Sequence, residues 1–305
     1  MANLFWKTSK GVSALLATPF KTEDEFEKTI FESSEVLEEI YLLRRQVRGG
    51  AKPGIPDIVG IDSDGSICII EMKNTTVDAT IIPQVLQYAF WAERNPDSIK
   101  TLWLEKEDRP EDLEISWDSL QVRILIIAPS ILRSTLGLVN KINYPVDLIE
   151  VKRWVEGDNQ FMLVNRLEDE ERVPRAKAVS GLQNYDEAFY RSQYNSKSAD
   201  HFIRYIREVE KLVQAQGWPL ETKFNKFYCG FKAGFFNAFG IKWIGSKTFA
   251  FFFKLPKGDA ERIKKGMTKY EIPWKEAVYY IDPINTKVAD FKPLFEAAFK
   301  RLTGD

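Results

Sequence analysis

The sequence contains few of the residues on which many metal sites and nucleophilic sites depend. Its 305 residues include one histidine, His201, and two cysteines, Cys68 and Cys229. A histidine-metal nuclease, a His/Asp phosphohydrolase and an HExxH protease each require histidine in a definite setting, and His201 has no partner histidine. Two cysteines in apolar or aromatic runs form neither a disulfide framework nor a cysteine-rich zinc site. Any catalysis must therefore use carboxylates, lysines, amides or hydroxyls.

Long hydrophobic stretches are also absent. No segment reaches the ~18 consecutive apolar residues that a membrane-spanning helix needs, and the apolar run at residues 12–17 is too short for a secretory signal. We therefore expect a cytoplasmic protein without a membrane partner. The composition, 44% hydrophobic and 29% charged, is that of a globular chain. At about 100 to 200 residues per domain, the length suggests two domains.

The net charge of −1 conceals two halves of opposite sign. Residues 1–165 contain 18 basic and 26 acidic residues, a net charge of −8, whereas residues 200–305 contain 19 basic and 12 acidic residues, a net charge of +7. Two solvated surfaces can differ in this way by chance. The same difference suits an acidic module that holds a divalent cation, joined to a basic module that holds a polyanion.

The hydrophobic pattern predicts an α/β domain over residues 1–165, a connecting segment over 166–199 and a smaller α+β domain over 200–305. In the first domain, the continuous apolar run at 122–128 is typical of a strand covered on both faces, at the centre of the sheet. The other elements expected there are a helix at 22–39 begun by a Thr22/Glu25 capping box, strands at 42–48, 57–61 and 67–73, a helix capped by Thr80 that ends near Arg94, a helix at 131–140 and strands at 147–155 and 161–167.

The smaller domain is basic, rich in aromatic residues and of unknown role. Residues 223–254 interleave phenylalanine, tyrosine and tryptophan with lysine, and we interpret this run as an aromatic-rich helix followed by strands. Aromatic side chains between cations can stack on bases while the lysines neutralise phosphates. The same spacing also suits a packed core with lysines on the wet face, and we favour the core for most of these aromatics.

One predicted hairpin carries the residues best suited to catalysis. Asp57 begins its first strand, and Glu71 and Lys73 lie two residues apart on its second, so these two side chains share a face. Two carboxylates can hold Mg²⁺, with Mn²⁺ as an alternative, and the cation can polarise a phosphate and acidify a bound water. A lysine can orient or deprotonate that water and offset charge in the transition state. The pattern therefore indicates phosphodiester hydrolysis.

The register of this hairpin decides whether the three groups meet. A two-residue turn would pair Asp57 with Met72 and point Asp57 away from the site. A three-residue loop at 63–65 pairs Asp57 with Glu71, and it commonly ends in a left-handed glycine, the place that Gly65 occupies. Acid-x-Lys triplets also occur at 150–152, 221–223 and 290–292, without a Pro-Asp partner. The alternative for the hairpin is a solvated, salt-bridged strand face.

Two helices offer further groups for the site. Gln84, Tyr88 and Trp91 form a stripe roughly opposite the apolar side of the second helix, so this stripe can face a polar site. On the first helix, Glu27 borders the apolar stripe and can reach the site as a third carboxylate. Its rival is Glu38, while four other acids of this helix are expected to face solvent. Those four are Glu23, Glu32, Glu35 and Glu39.

Residues 22–93 resemble the PD-(D/E)xK nuclease superfamily, and most of all the catalytic domain of NucS/EndoMS-type DNA endonucleases. The Gln-x-x-x-Tyr spacing of Gln84 and Tyr88 is also similar to RecB-type nucleases. The segments that carry the resemblance are Glu25-Phe26-Glu27, Arg45-Gln46-Val47-Arg48, Gly54-Ile55-Pro56-Asp57, Asp64-Gly65, Glu71-Met72-Lys73 and Gln84-Val85-Leu86-Gln87-Tyr88. In NucS-type enzymes a DNA-binding domain precedes the nuclease module, so mismatch or branch specificity and the dimer architecture are not carried over.

This resemblance implies a restriction-endonuclease-like mixed sheet flanked by helices. It further implies that Asp57 and Glu71 bind the metal and that Lys73 positions the attacking water. Gln84 would then support the lysine or the scissile phosphate, and Glu27 would complete the acidic site.

The basic residues just before Asp57 can grip phosphates, and among them Arg48 and Lys52 are the nearest candidates for nucleic-acid binding, together with Tyr88. Charges on an edge strand and loop are the alternative. The sequence thus predicts a Mg²⁺-dependent endonuclease on nucleic acid, most simply DNA. A non-catalytic nucleic-acid-binding or assembly protein on the same fold is the competing hypothesis, and nothing in the sequence supports or opposes a homo-oligomer.

Overall fold

The computed structural model describes residues 4–8, 11–37, 40–46, 56–110, 113, 115–167, 185–234 and 236–304. The chain divides into two units, one of residues 1–106 and 115–182 and one of residues 107–114 and 183–305. The domain boundaries expected at 165 and 199 stay a prediction. Within the described residues, no helix is both long enough and apolar enough to cross a membrane.

The first unit contains a six-stranded mixed sheet flanked by helices, which confirms the predicted fold class. Its strands are β1 (Leu4–Thr8), β2 (Gly11–Leu15), β3 (Ile40–Arg45), β4 (Ile58–Asp62), β5 (Ile67–Met72), β6 (Thr76–Val77), β7 (Val122–Ala128), β8 (Ser130–Ile131), β9 (Val146–Glu156) and β10 (Asn159–Leu167). Its helices are α1 (Glu23–Glu32), α2 (Ile82–Arg94), α3 (Pro96–Leu104) and α4 (Arg133–Val139). The sheet order is β10-β9-β7-β5-β4-β3.

In the middle of this sheet, β7 runs parallel to both β5 and β9. The remaining pairs of neighbouring strands are antiparallel. The apolar run of β7 lies at the centre, as predicted, because helices cover both of its faces. On one face α1 buries Phe26 and Ile30 against β4, β5 and β7. On the other, α2 packs on β5 and β7 with Val85 and Ala89 buried.

Two predicted helix boundaries of the first unit are wrong. The first helix ends at Glu32 rather than near residue 39, because Ser33 and Ser34 favour non-helical backbone and a 3-10 turn follows at Ser34–Leu37. Before α2, Thr80 is not the capping residue but lies in a 3-10 turn at Ala79–Ile81. Asp78 caps this turn, with its Oδ1 accepting from the Thr80 amide at 2.8 Å, and α2 begins directly after it. The Thr22 cap is confirmed, since its Oγ1 accepts from the Glu25 amide at 3.0 Å.

The second unit is an α+β domain with helices packed on one antiparallel sheet. Its strands are β11 (Glu221–Phe224), β12 (Tyr228–Ala233), β13 (Phe236–Trp243), β14 (Phe249–Phe253), β15 (Lys269–Glu271) and β16 (Glu276–Tyr280), in the order β11-β12-β13-β14-β16-β15. Its helices are α5 (Glu187–Gln193), α6 (Ser196–Gln216), α7 (Lys257–Ile263) and α8 (Lys292–Thr303).

The aromatic run of this unit forms strands, so the predicted aromatic-rich helix is wrong. Aromatic residues fit a half-buried pleated surface, and here they alternate between the two faces of β12, β13 and β14. Phe231, Phe239, Phe251 and Phe253 are fully buried in one core with residues of α6 and α8. The prediction that most of these aromatics belong to the core is therefore confirmed. Cys68 and Cys229 are also buried.

Candidate active site

The hairpin of β4 and β5 has the register that brings the predicted catalytic residues together. Ile58 pairs with Ile70 and Ile61 with Ile67, so the chain turns through a three-residue loop at 63–65. Gly65 closes that loop with φ of 83°, a left-handed conformation that favours glycine. By the same register, Asp57 stands opposite Glu71 on one face of the sheet. The pairing expected from the turn chemistry is confirmed.

Asp57, Glu71 and Lys73 meet where this hairpin ends. The carboxyl groups of Asp57 and Glu71 are close enough for the charge of Asp57 to raise the pKa of Glu71, and Lys73 Nζ donates to Glu71 Oε1 at 2.5 Å. Asp57 Oδ2 also accepts from the Met72 amide at 2.7 Å, which fixes its carboxyl group against the neighbouring strand. The three groups therefore form one cluster rather than a spread salt-bridged face.

The electrostatics of this cluster reflect burial of two adjacent acids. Glu71 is 1% exposed, and burial, followed by the charge of Asp57, raises its pKa to about 8. Burial also raises the pKa of Asp57. Burial lowers the pKa of Lys73, but the hydrogen bond to Glu71 and the negative charges of the neighbouring acids together outweigh burial, and the net shift is upward. Two carboxylates this close repel each other unless a positive charge lies between or beside them.

The donor set fits a hard divalent cation. Glu71 Oε2 is buried and has no hydrogen-bond donor among the described residues, so one lone-pair-bearing oxygen is left for another ligand. Beside it, carboxylate oxygens of Glu23, Glu27 and Asp57 lie within 4.8 Å of one another. Oxygen ligands of this kind suit Mg²⁺ and Mn²⁺. Asp57 is the residue common to the carboxylate pair and to this acidic group.

Helix α2 supplies Gln84 to the site. Its Nε2 donates to Glu71 Oε1 at 2.7 Å and to the Tyr88 hydroxyl at 2.6 Å. The predicted polar stripe thus reaches strand β5 through the amide group of Gln84, which donates to one oxygen of Glu71. Tyr88 is 6% exposed and contacts the site through Gln84, and its role as a nucleic-acid contact stays a prediction.

Helix α1 supplies two acids rather than one. Glu27 is buried, and its Oε2 accepts from Gln46 Nε2 at 3.1 Å. Glu23, expected to face solvent, instead contacts Lys73 and Asn74, so that expectation is wrong. Its spacing of four residues from Glu27 is the signal that would have found it, because positions four apart share a helix face. Glu32 and Glu35 are exposed, as expected.

Several predicted residues lie outside the described part of the chain. These are Arg48 and Lys52, proposed above for phosphate binding, and Glu38 and Glu39 after the first helix. Among the nearby basic residues that are described, Arg45 pairs with Asp24 at 2.8 Å and approaches Glu27 at 3.8 Å.

A comparison with known proteins agrees with the motifs of the first unit. The chain is 30% identical over 123 residues to endonuclease NucS of Pyrococcus horikoshii. It resembles a NucS-type endonuclease. The match covers 39% of this chain and 38% of the length of NucS, so well under half of that relative is represented. No protein-family model matches the chain.

Two chains in solved structures are also similar to part of this chain. A repair endonuclease from Pyrococcus abyssi is 26% identical, with 44% of this chain and 49% of that one covered and a TM-score of 0.28. EndoMS in a complex with dsDNA is 24% identical, with 46% and 51% covered and a TM-score of 0.30. Because TM-scores this low indicate little shared overall arrangement, the similarity rests on the sequence match to NucS.

Proposed function

We propose that this chain is a divalent-metal-dependent nuclease that hydrolyses phosphodiester bonds in DNA as an endonuclease. The observation that carries the proposal is the cluster of Asp57, Glu71 and Lys73 at one end of the sheet. In this cluster a buried carboxylate oxygen of Glu71 has no hydrogen-bond donor within the part of the chain that the structure describes. A binding module has no need to hold two acids in contact, since their repulsion costs stability. This favours catalysis over the non-catalytic alternative.

The proposed roles follow from where each group lies. Asp57 and Glu71 would hold Mg²⁺ or Mn²⁺, which when bound polarises the phosphate and acidifies a water. Lys73 presents its ammonium group beside Glu71, where it can orient that water and offset charge on the phosphate. Gln84 fixes Glu71 Oε1 through its 2.7 Å hydrogen bond, and Glu27 adds negative charge next to Asp57.

Two observations support DNA as the polymer. The chain is 30% identical over 123 residues to endonuclease NucS, and residues 200–305 have a net charge of +7, which suits a polyanion. The basic residues of that second part would add affinity without reading sequence, because phosphate contacts are sequence-independent. A cytoplasmic location stays a prediction.

A cleavage panel tests this proposal. We expect the purified chain to cut at least one of linear, circular, single-stranded or branched DNA with Mg²⁺ or Mn²⁺, and EDTA to abolish the cutting. Asp57→Asn should reduce cleavage to background, because it removes a charged ligand while keeping the shape of the side chain. Asp118→Asn changes an exposed acid outside the site and should cut like the wild type. Metal-dependent cutting that survives Asp57→Asn would refute the assigned site.

A further inference from the structure

Glu23 connects the start of α1 to the end of the catalytic strand. Its Oε1 lies 3.4 Å from Lys73 Nζ, and its Oε2 accepts from the Asn74 amide at 3.3 Å. Both carboxylate oxygens therefore contact the two residues that directly follow β5. Neither the predicted catalytic set nor the resemblance to NucS-type enzymes includes this residue.

The segment before Glu23 is joined to the same point. Asn74 Nδ2 donates to the backbone oxygen of Phe20 at 2.8 Å, and Thr22 caps the helix that Glu23 begins. The start of α1 and the residues after β5 are thus linked by three polar contacts. Such contacts restrict how far Lys73 can move relative to the helix.

The geometry of Lys73 explains what Glu23 contributes. An ammonium group has three N–H donors, and Lys73 Nζ has three acceptors: Glu71 Oε1 at 2.5 Å, the Met72 carbonyl at 3.2 Å and Glu23 Oε1 at 3.4 Å. The contact with Glu23 is the longest, and the Glu23 side chain is 42% exposed whereas that of Glu71 is 1% exposed. The third N–H is therefore the one that can exchange its partner for a water or a phosphate oxygen.

Glu23 also belongs to the acidic group with Glu27 and Asp57, so the alternative role for Glu23 is that of a cation ligand. Its contacts with Lys73 and Asn74 occupy one hydrogen bond on each of its oxygens. By contrast, Glu27 and Asp57 each accept a hydrogen bond through one carboxylate oxygen, Oε2 and Oδ2 respectively, and Glu71 Oε2 has no donor among the described residues. The contacts of Glu23 thus point to the lysine rather than to a cation.

We infer that Glu23 is a positioning residue that aims the third N–H of Lys73 into the space where the attacking water and the phosphate would lie. The inference rests on the proposed nuclease function. It predicts that the negative charge of Glu23 affects the chemical step through Lys73 while leaving cation binding and DNA binding unchanged.

Glu23→Gln is the direct test, because glutamine keeps an oxygen acceptor for the Asn74 amide but loses the charge that faces Lys73. We expect kcat to fall about 10- to 100-fold through misplacement of the lysine, with KM for DNA unchanged. The affinity for Mn²⁺, measured by electron paramagnetic resonance on the protein without DNA, should stay within about twofold of wild type. Glu23→Asp retains the charge and should lose less in kcat than Glu23→Gln.

Glu32→Gln is the matched control, since Glu32 lies on the same helix, is exposed and pairs only with Lys28 among the described residues, at 3.8 Å. It should leave kcat, KM and Mn²⁺ affinity unchanged. An unchanged kcat in a folded Glu23→Gln variant would overturn the inference, and weaker Mn²⁺ binding by that variant would show a cation ligand instead. If the wild type itself neither bound Mn²⁺ nor cut DNA, the proposed function would fail, which is a separate outcome.

Discussion

Replacing Lys73 by methionine is expected to lower the rate of metal-dependent DNA cleavage by about 100- to 1,000-fold. Methionine preserves most of the length and apolar volume of the side chain but removes the ammonium group that bonds Glu71 at 2.5 Å. The loss should appear in kcat, because the charge acts on the developing transition state more than on bound DNA. Single-turnover cleavage at saturating protein and Mg²⁺ measures it.

Lys152→Met provides the control for this substitution. Lys152 belongs to another acid-x-Lys triplet, on β9, where it lies 4.0 Å from Glu150 and its side chain is 40% exposed. Its removal should leave the cleavage rate at the wild-type value. If Lys73→Met cut as fast as Lys152→Met, the lysine would have no part in the chemistry.

The second large effect is expected on stability, at Arg123 in the central strand β7. Its Nε lies 2.6 Å from Asp147 Oδ2 and its Nη1 lies 3.3 Å from Asp62 Oδ2, with the Arg123 side chain 18% exposed. Arg123→Met keeps an apolar side chain in the sheet but leaves two adjacent carboxylates without this cation. Breaking a buried ion pair from one side costs about 3–5 kcal/mol in the free energy of unfolding.

Urea unfolding monitored by circular dichroism measures this cost. Arg133→Met, at the exposed first residue of α4, is the control and should change the free energy of unfolding by less than about 0.5 kcal/mol. A loss below about 1 kcal/mol for Arg123→Met would mean that solvent compensates the two acids. The experiment tests the stability of the sheet separately from the cleavage activity, because the ion pairs of Arg123 are with Asp62 and Asp147, outside the candidate site.

Local chemistry made the hairpin of β4 and β5 predictable from sequence. The glycine at position 65 favours a three-residue loop, and that loop length sets the register that puts Asp57 opposite Glu71. The central position of β7 was likewise predictable from its sequence, because a strand covered on both faces needs a continuous apolar run. Gln84 could be placed near the site because helical periodicity separates a polar stripe from the packed side of α2.

Features that depend on tertiary contacts were harder to predict. The position of Glu23 depends on where α1 lies against the end of β5, and periodicity along one helix does not give that placement. The aromatic run of the second unit has helix-like spacings between some residues, yet pairing with neighbouring strands and burial of Phe231 and Phe239 decide its structure. The early end of α1 was missed because the two serines that favour it are a weak signal in the sequence, whereas the apolar pattern continues beyond them.

Binding of Mn²⁺ to the protein without DNA tests most directly whether Asp57 and Glu71 share one cation. Electron paramagnetic resonance titrations should show Mn²⁺ binding by the wild type and by Asp118→Asn, with affinity at least about tenfold lower in Asp57→Asn and in Glu71→Gln. Equal Mn²⁺ affinity in all four proteins would contradict a shared cation at this carboxylate pair.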